Sequence, residues 1–214
     1  MRVKNLARDT IAVLSKRLKS MTLRSATRGD NWPQPDIHPR LQTSGACETN
    51  VNRPPEGIHP MESHRLELFA DYFQFYLQDA TADGDLSDAW DDAATRRMLV
   101  VSTGVVGMGT ARNMKVPVTL EILEAKPSLA LDSFDHVVEG SLVVTTGPLV
   151  IAGCTDYLPD AQRFGVQPGT LRVRLSASGL NSLSTDGLEG DDHYLVQLWP
   201  DAPIEPVVLK QWED

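Results

Sequence analysis

The densest acidic stretch of the chain runs from Asp79 to Asp88, and its residue types are those that bind calcium. A calcium-binding EF-hand loop needs oxygen ligands at alternate positions, a Gly at the sixth position and a bidentate Glu at the twelfth. Counted from Asp79, Gly84 stands at the sixth position, but Trp90 stands at the twelfth. The EF-hand interpretation therefore fails. A solvated acidic turn is favoured, and a looser calcium site at the end of a β-sandwich stays open.

Two histidines lie close to carboxylates. His136 precedes Glu139 by three residues in a β-prone run, and residues three apart on a strand point to opposite faces, so the two cannot act as a catalytic pair. A hydrogen bond from His136 to Asp135 or to a neighbouring loop is the favoured interpretation. His193 follows the acidic Gly-containing stretch 186–192, which we interpret as a loop that caps a strand. Nothing in the spacing supports a metallohydrolase site that combines both histidines.

Residues for nucleophilic or phosphate chemistry are not arranged in known patterns. The sequence has no G-x-S-x-G elbow, no P-loop lysine after Gly104 or Gly107, and no C-x-x-C pair. Cys154 lies in an apolar Ala-Gly-Cys-Thr setting, and Cys47 is far away, so two free thiols in a reducing compartment are expected. The sequence thus predicts a cytoplasmic protein that is not an enzyme and has no cofactor and no metal site.

The elements that must position these residues are short strands at intervals of roughly ten residues. Residues 116–123 and 170–176 alternate apolar and polar side chains, as half-buried strands do. One short helix is predicted over Ala89–Arg97, with Asp88 as its N-cap. The predicted fold class is all-β: a two-sheet antiparallel β-sandwich with one short helix. Further strands are predicted in residues 66–77, 98–101, 105–108, 136–145, 148–152, 194–199 and 207–209.

A charge boundary near residue 65 divides the chain into two predicted parts. Residues 1–65 carry 11 Lys and Arg against 6 Asp and Glu, a net of +5, whereas residues 66–214 carry 9 against 23, a net of −14. The basic leader, 1–65, is predicted to be an amphipathic helix over 2–21 followed by a disordered, proline-containing stretch over 24–60. Such a leader fits a membrane-surface or targeting segment. Equally, Met61 fits the true start, with the leader arising from a start codon chosen in error.

The acidic β-sandwich domain, 66–214, restricts the classes of partner. Nucleic-acid binding depends on Lys and Arg that displace counterions, so a net of −14 argues against direct contact with nucleic acid. The same charge is compatible with a basic protein partner or with divalent cations. No apolar run approaches the roughly 18 residues of a membrane span.

The acidic domain resembles the competence protein J family over about residues 66–212. The resemblance rests on the aromatic run 72–76, the acidic loop followed by Trp90, the Pro117-Val118 strand, and the stretches 168–173 and 195–199. It implies inhibition of a DNA-entry nuclease. A nuclease cleft is basic because it holds phosphates, so carboxylates placed there would be steered to it electrostatically.

The sequence hypothesis is therefore an acidic protein-binding module that inhibits a basic nuclease by blocking its active-site cleft. The alternative is a small-molecule or carbohydrate-binding β-sandwich, with calcium assistance left open. Trp90 is the predicted apolar anchor of the partner-binding face, and the predicted carboxylates are Asp79, Asp83, Asp85, Asp88, Asp91 and Asp92.

Overall fold

The computed structural model describes residues 62–213. Within this range the chain forms strands, one α-helix and three short 3-10 turns. The strands are β1 Glu62–Phe69, β2 Gln74–Asp79, β3 Leu99–Ser102, β4 Val105–Gly109, β5 Lys115–Ile122, β6 His136–Val144, β7 Leu149–Gly153, β8 Gln162–Phe164, β9 Gly169–Ser178, β10 His193–Pro200 and β11 Val207–Lys210. The helix, α1, spans Asp92–Arg97 between β2 and β3, and the 3-10 turns span Asp71–Phe73, Leu131–Ser133 and Leu158–Asp160.

The strands form two sheets, as the sequence predicted. The six-stranded sheet has the order β1-β5-β10-β9-β6-β11, and the five-stranded sheet has the order β3-β4-β2-β7-β8. Neighbouring strands are antiparallel except β5 and β10, which run parallel. The mostly-β fold with two sheets and one helix is confirmed.

The core lies between the two sheets and is built by alternation along the strands. On β5, Val116, Val118 and Leu120 are buried, while the residues between them face away. They pack in one cluster with residues of the other sheet, such as Phe75 and Leu77 on β2. Burial of such side chains contributes about 25 cal/mol per Å² of apolar surface removed from water, so this cluster supplies much of the favourable free energy of folding.

Two long connections, each joining parallel strands of one sheet, cross over the outer faces of the sheets. Strands β2 and β3 are both antiparallel to β4, which lies between them, so they run parallel to each other and need a crossover. Strands β5 and β6 are likewise parallel, with β10 and β9 between them. Because the inner faces are filled by the core, residues 80–98 and 123–135 must cross the outer faces; we call these segments the β2–β3 crossover and the β5–β6 crossover.

Several boundaries differ from the sequence prediction. The first aromatic run is divided into β1 and β2 by a 3-10 turn at Asp71–Phe73, and β1 begins at Glu62. The helix begins at Asp92, because the Asp91 Oδ1 rather than Asp88 accepts the capping hydrogen bond from the Ala94 N–H, at 2.7 Å. Strand β8 was not predicted. The leader helix over 2–21 and the stretch over 24–60 lie outside the described residues.

No helix within residues 62–213 is long and apolar enough to span a membrane.

Candidate protein-binding surface

The β2–β3 crossover carries the acidic residues that the sequence singled out. Asp83, Asp85, Asp88, Asp91 and Asp92 are all exposed along it, over the outer face of the five-stranded sheet. The structure therefore brings five of the six predicted carboxylates onto one connection. We call these five residues the acidic face.

Asp79 does not belong to the acidic face, because its side chain is only 1% exposed. Its carboxylate accepts hydrogen bonds from the N–H and hydroxyl groups of Thr81, Thr145 and Thr146, at 2.6 to 3.1 Å. These bonds fasten the end of β2 to the turn between β6 and β7. Asp79 is thus a structural carboxylate at the root of the crossover, and sequence alone could not distinguish it from its exposed neighbours.

The environment of Asp79 keeps its carboxylate ionised. Burial raises the pKa of Asp79, but the hydrogen bonds from Thr146, Thr81 and Thr145 more than offset burial and hold that pKa well below its usual range. Donors pointed at a carboxylate favour its charged form. The charge of Asp79 is therefore stabilised locally by uncharged hydrogen-bond donors.

The first half of the β2–β3 crossover is in close backbone contact with the turn between β3 and β4. A Cβ atom added to Gly84 would lie 2.3 Å from the Thr103 carbonyl oxygen, so only glycine allows this approach. In that turn, Gly104 has a φ of +69°, which favours glycine, and its carbonyl accepts a hydrogen bond from the Asp79 N–H at 2.9 Å. The acidic face consequently rests on a fixed backbone.

Trp90 is half-buried against the chain's own sheet. Its ring and the buried Leu86 lie over Gly107 of β4, where a Cβ atom would come within 3.0 Å of Trp90 Cζ2. Tyr76 and Val100 belong to the same apolar cluster, and burial raises the pKa of the Tyr76 hydroxyl above its usual range. Trp90 therefore anchors the crossover to the sheet, and only the remaining part of its ring is accessible to a partner.

A cleft opens beside Trp90 at the end of the sheet where α1 lies; we call it the aromatic cleft. Its volume is about 40 Å³. Its lining includes Tyr72, Phe73, Trp90, Thr95, Met98 and Thr110.

Three of the lining residues have backbone conformations that residues other than glycine rarely adopt. The φ angles are 57° at Tyr72, 61° at Phe73 and 55° at Met98. Two consecutive bulky residues with positive φ are uncommon and store strain. Hydrogen bonds hold the first pair: the Asp71 Oδ1 accepts from the Tyr72 N–H at 3.0 Å, and the Phe73 carbonyl accepts from the Thr110 N–H at 2.8 Å.

The predicted histidines have structural partners. His136 is fully buried; its Nε2 donates to the Arg97 carbonyl at 3.0 Å, and its Nδ1 accepts from the Trp212 N–H at 3.2 Å. Burial lowers the pKa of His136, which favours the neutral ring that this pairing needs. The ring joins the end of α1 to the C-terminal segment, a loop contact of the kind predicted for it.

His193 faces away from His136. Its Nε2 lies 2.9 Å from the Thr119 Oγ1 on the outer side of the six-stranded sheet, and burial, then Arg65, lowers its pKa. Within residues 62–213, no group of three or more His, Cys, Asp or Glu side chains is arranged to hold a metal ion.

Cys154 is half-buried with a protonated thiol. The Sγ donates to the Asp71 carbonyl at 3.1 Å, and burial, followed by the charge of Asp71, raises the pKa of Cys154 to about 12. Because the thiolate is the nucleophile, a thiol held in this state is inert.

A buried ionic cluster lies on the outer face of the six-stranded sheet, under the β5–β6 crossover. Glu139 contacts Arg174 at 2.8 Å and Arg172 at 3.2 Å, and all three side chains are buried. The Arg174 Nη1 also donates to the Ser128 carbonyl of the crossover, at 3.3 Å, and its guanidinium lies 4.8 Å from the Trp199 ring centre. These charges hold the crossover in place and are closed to partners.

Comparison with solved structures finds a related fold. ComJ from Bacillus subtilis, the inhibitor of the DNA-degrading activity of NucA, matches at 16% sequence identity with a TM-score of 0.51. The match covers 67% of this chain and 98% of ComJ. The fold is similar to that of ComJ. The resemblance predicted from the sequence is thereby confirmed at the level of the fold.

The product of crocagin biosynthetic gene J also matches, at 16% identity, with a TM-score of 0.44 and coverage of 66% of this chain and 98% of that protein. No protein-family model matches the chain, and no curated protein sequence matches it.

Proposed function

We propose that this chain is a protein-binding inhibitor of a basic nuclease and that the acidic face is its contact surface. The observation that carries the proposal is the exposure of five carboxylates on one firmly seated connection, in a fold similar to that of ComJ. ComJ inhibits the DNA-degrading activity of NucA. A phosphate-binding cleft attracts carboxylates for the same reason that it attracts DNA.

The rigidity of the connection supports this role. Asp79 binds the turn between β6 and β7 just before the crossover begins. Further along, Gly84 contacts the turn between β3 and β4, and Trp90 packs on Gly107 of β4. Side chains that are already in position when they meet a partner lose less conformational freedom on binding. The backbone that carries the acidic face is therefore held by contacts of its own before a partner binds.

The carbohydrate-binding or small-molecule-binding alternative gains no support from the aromatic cleft. Sites for small molecules usually have volumes of roughly 300–1,000 Å³, and the aromatic cleft has about 40 Å³. A cleft of this size has room for the end of a side chain but not for a sugar ring.

The test is inhibition of DNA degradation by a defined amount of the purified full-length chain. DNA-degrading activities are separated from a lysate of the source organism by charge, and each is titrated with the chain; NucA is titrated in parallel. We expect a basic nuclease fraction to lose its activity in a near-stoichiometric titration. If every fraction degrades DNA at an unchanged rate with the chain in excess, the proposed function is wrong.

A further inference from the structure

The aromatic cleft is not explained by the packing of the crossover alone. Two strained aromatic residues, Tyr72 and Phe73, line it from one side, and Trp90 lines it from another. Strain of this kind persists where the surrounding structure enforces it, and it often marks a binding site. We propose that the aromatic cleft receives an arginine side chain of the basic partner; the identity of that partner rests on the proposed function.

The lining of the cleft suits a guanidinium group. Arginine stacks its planar head on aromatic faces and donates up to five hydrogen bonds. Gln74, Thr95 and Thr110, whose side chains carry oxygen acceptors, also line the cleft. The Thr110 hydroxyl donates its own proton to the Arg112 carbonyl at 2.7 Å, so its lone pairs remain as acceptors.

The charges near the cleft favour a cation. Asp91 and Asp92 are exposed one helical turn before the lining residue Thr95, and Asp71 precedes Tyr72. The nearby Arg97 uses its Nε–H on the Leu99 carbonyl, at 2.7 Å, while Arg96 is exposed on the last turn of α1. Asp71 and Asp91 are sequence neighbours of the lining residues Tyr72 and Trp90, so negative charge lies close to aromatic faces that complement an arginine.

The size of the cleft limits the occupant to the end of one side chain. A volume of about 40 Å³ is too small to enclose a nucleotide or a sugar ring. The cleft is also continuous with the acidic face, because Trp90 and Thr95 of its lining lie on the β2–β3 crossover. A basic partner resting on the acidic face would thus place a neighbouring side chain at the cleft.

A direct test uses the full-length chain and a probe peptide in solution. The indole N–H signal of Trp90 is assigned by NMR with the Trp90→Phe variant and followed during titration with the blocked peptide Gly-Arg-Gly. The matched control is Gly-citrulline-Gly, which keeps the shape and removes the charge. We expect a saturable shift at millimolar Gly-Arg-Gly and at least a several-fold weaker response to the citrulline peptide. Equal responses, or no response to either peptide, would overturn the proposal.

A second test uses inhibition of the nuclease. Thr95→Arg places the chain's own guanidinium in the cleft, and Ala93→Arg adds the same charge to an exposed position of α1 that does not line the cleft. We expect Thr95→Arg to raise the inhibitor concentration needed for half-inhibition about tenfold relative to Ala93→Arg. Equal inhibition by the two variants would overturn the cleft proposal and leave the proposed function intact. If the wild-type chain inhibits no nuclease, the proposed function is contradicted instead. The peptide titration would still test whether the cleft binds an arginine side chain.

Discussion

At the scale of single residues, aspartates of one short stretch have opposite roles. Asp79 lies under the surface with three threonines around it, whereas Asp83 is exposed four residues later. The difference is set by the turn between β6 and β7, which supplies four of the six donors to Asp79. Those donors lie more than sixty residues away in the sequence, so the sequence pattern could not reveal them.

Asp79→Asn should destabilise the fold. The amide removes the charge and points a donor at groups that already donate, so we expect a loss of about 1.5–3 kcal/mol in the free energy of unfolding at neutral pH. The folded-state pKa of Asp79 is depressed, so its contribution is present above the ordinary value of 3.8 and is lost as the pH falls below it. Urea unfolding at about pH 7 and about pH 3 measures both effects.

The matched control for Asp79 is Asp83→Asn, which removes an exposed carboxylate from the same connection. This variant should unfold within about 0.5 kcal/mol of the wild type. The interpretation of Asp79 would be contradicted if both variants had the same stability at neutral pH, or if the difference between them did not shrink in acid.

At the scale of elements, the β2–β3 crossover depends on one glycine. Gly84→Ala would push a methyl group into the Thr103 carbonyl oxygen, which is backbone and cannot move aside easily. We expect a cost of about 1–3 kcal/mol, since overpacking of a tight contact forces backbone shifts. Thermal and urea unfolding would measure it.

Gly165→Ala is the control for Gly84, because no atom lies within 4 Å of the position its Cβ would take. This variant should leave the free energy of unfolding unchanged or raise it by about a few tenths of a kcal/mol, because alanine lowers the conformational entropy of the unfolded chain. If Gly84→Ala unfolded like Gly165→Ala, the crossover would not be seated on the turn between β3 and β4.

The strands could be predicted from the sequence, but what covers them could not. The alternation of Leu171, Val173 and Leu175 predicted the inward face of β9 correctly. Arg172 and Arg174, which alternate with them, are nevertheless buried: the β5–β6 crossover contacts Arg174 through Ser128, and the connection between β10 and β11 contacts Arg172 through Ala202. Alternation shows which residues share a face, whereas sheet order decides whether a connection crosses that face.

The candidate site could be predicted in part. Residue types alone gave the acidic stretch and Trp90, since carboxylates in loops are usually solvated. The aromatic cleft was missed because its lining comes from the 3-10 turn before β2, the β2–β3 crossover with α1, and the end of β4, which are separate in the sequence. The sequence shows that Tyr72 and Phe73 are aromatic, but it does not show that their φ angles are positive, because bulky residues rarely adopt that conformation.

At the scale of the whole molecule, the net charge of −14 in residues 66–214 predicts fast, salt-sensitive association with a basic partner. Changing Asp83, Asp85, Asp88 and Asp92 to Asn should slow association with the inhibited nuclease about tenfold at low salt and flatten its dependence on ionic strength. Asp91 is left unchanged because it caps α1. Stopped-flow measurements over a range of salt concentrations provide the rates.

The control removes four exposed carboxylates from elsewhere by changing Glu124, Asp132, Asp160 and Glu205 to their amides. It alters the net charge by the same amount, so a purely global effect would slow both variants equally. Equal rates for the two variants would contradict the assignment of the contact to the acidic face.

The position of β10 has a consequence for how the molecule is made. This strand pairs with β5 on one side and β9 on the other, so it alone joins β1 and β5 to β9, β6 and β11. Until His193 and the residues after it have left the ribosome, the six-stranded sheet can exist only as separate antiparallel pairs with open edges. The six-stranded sheet is therefore completed only after β10 has been made, and the partly synthesised β-sheet domain is the form most exposed to aggregation and proteolysis.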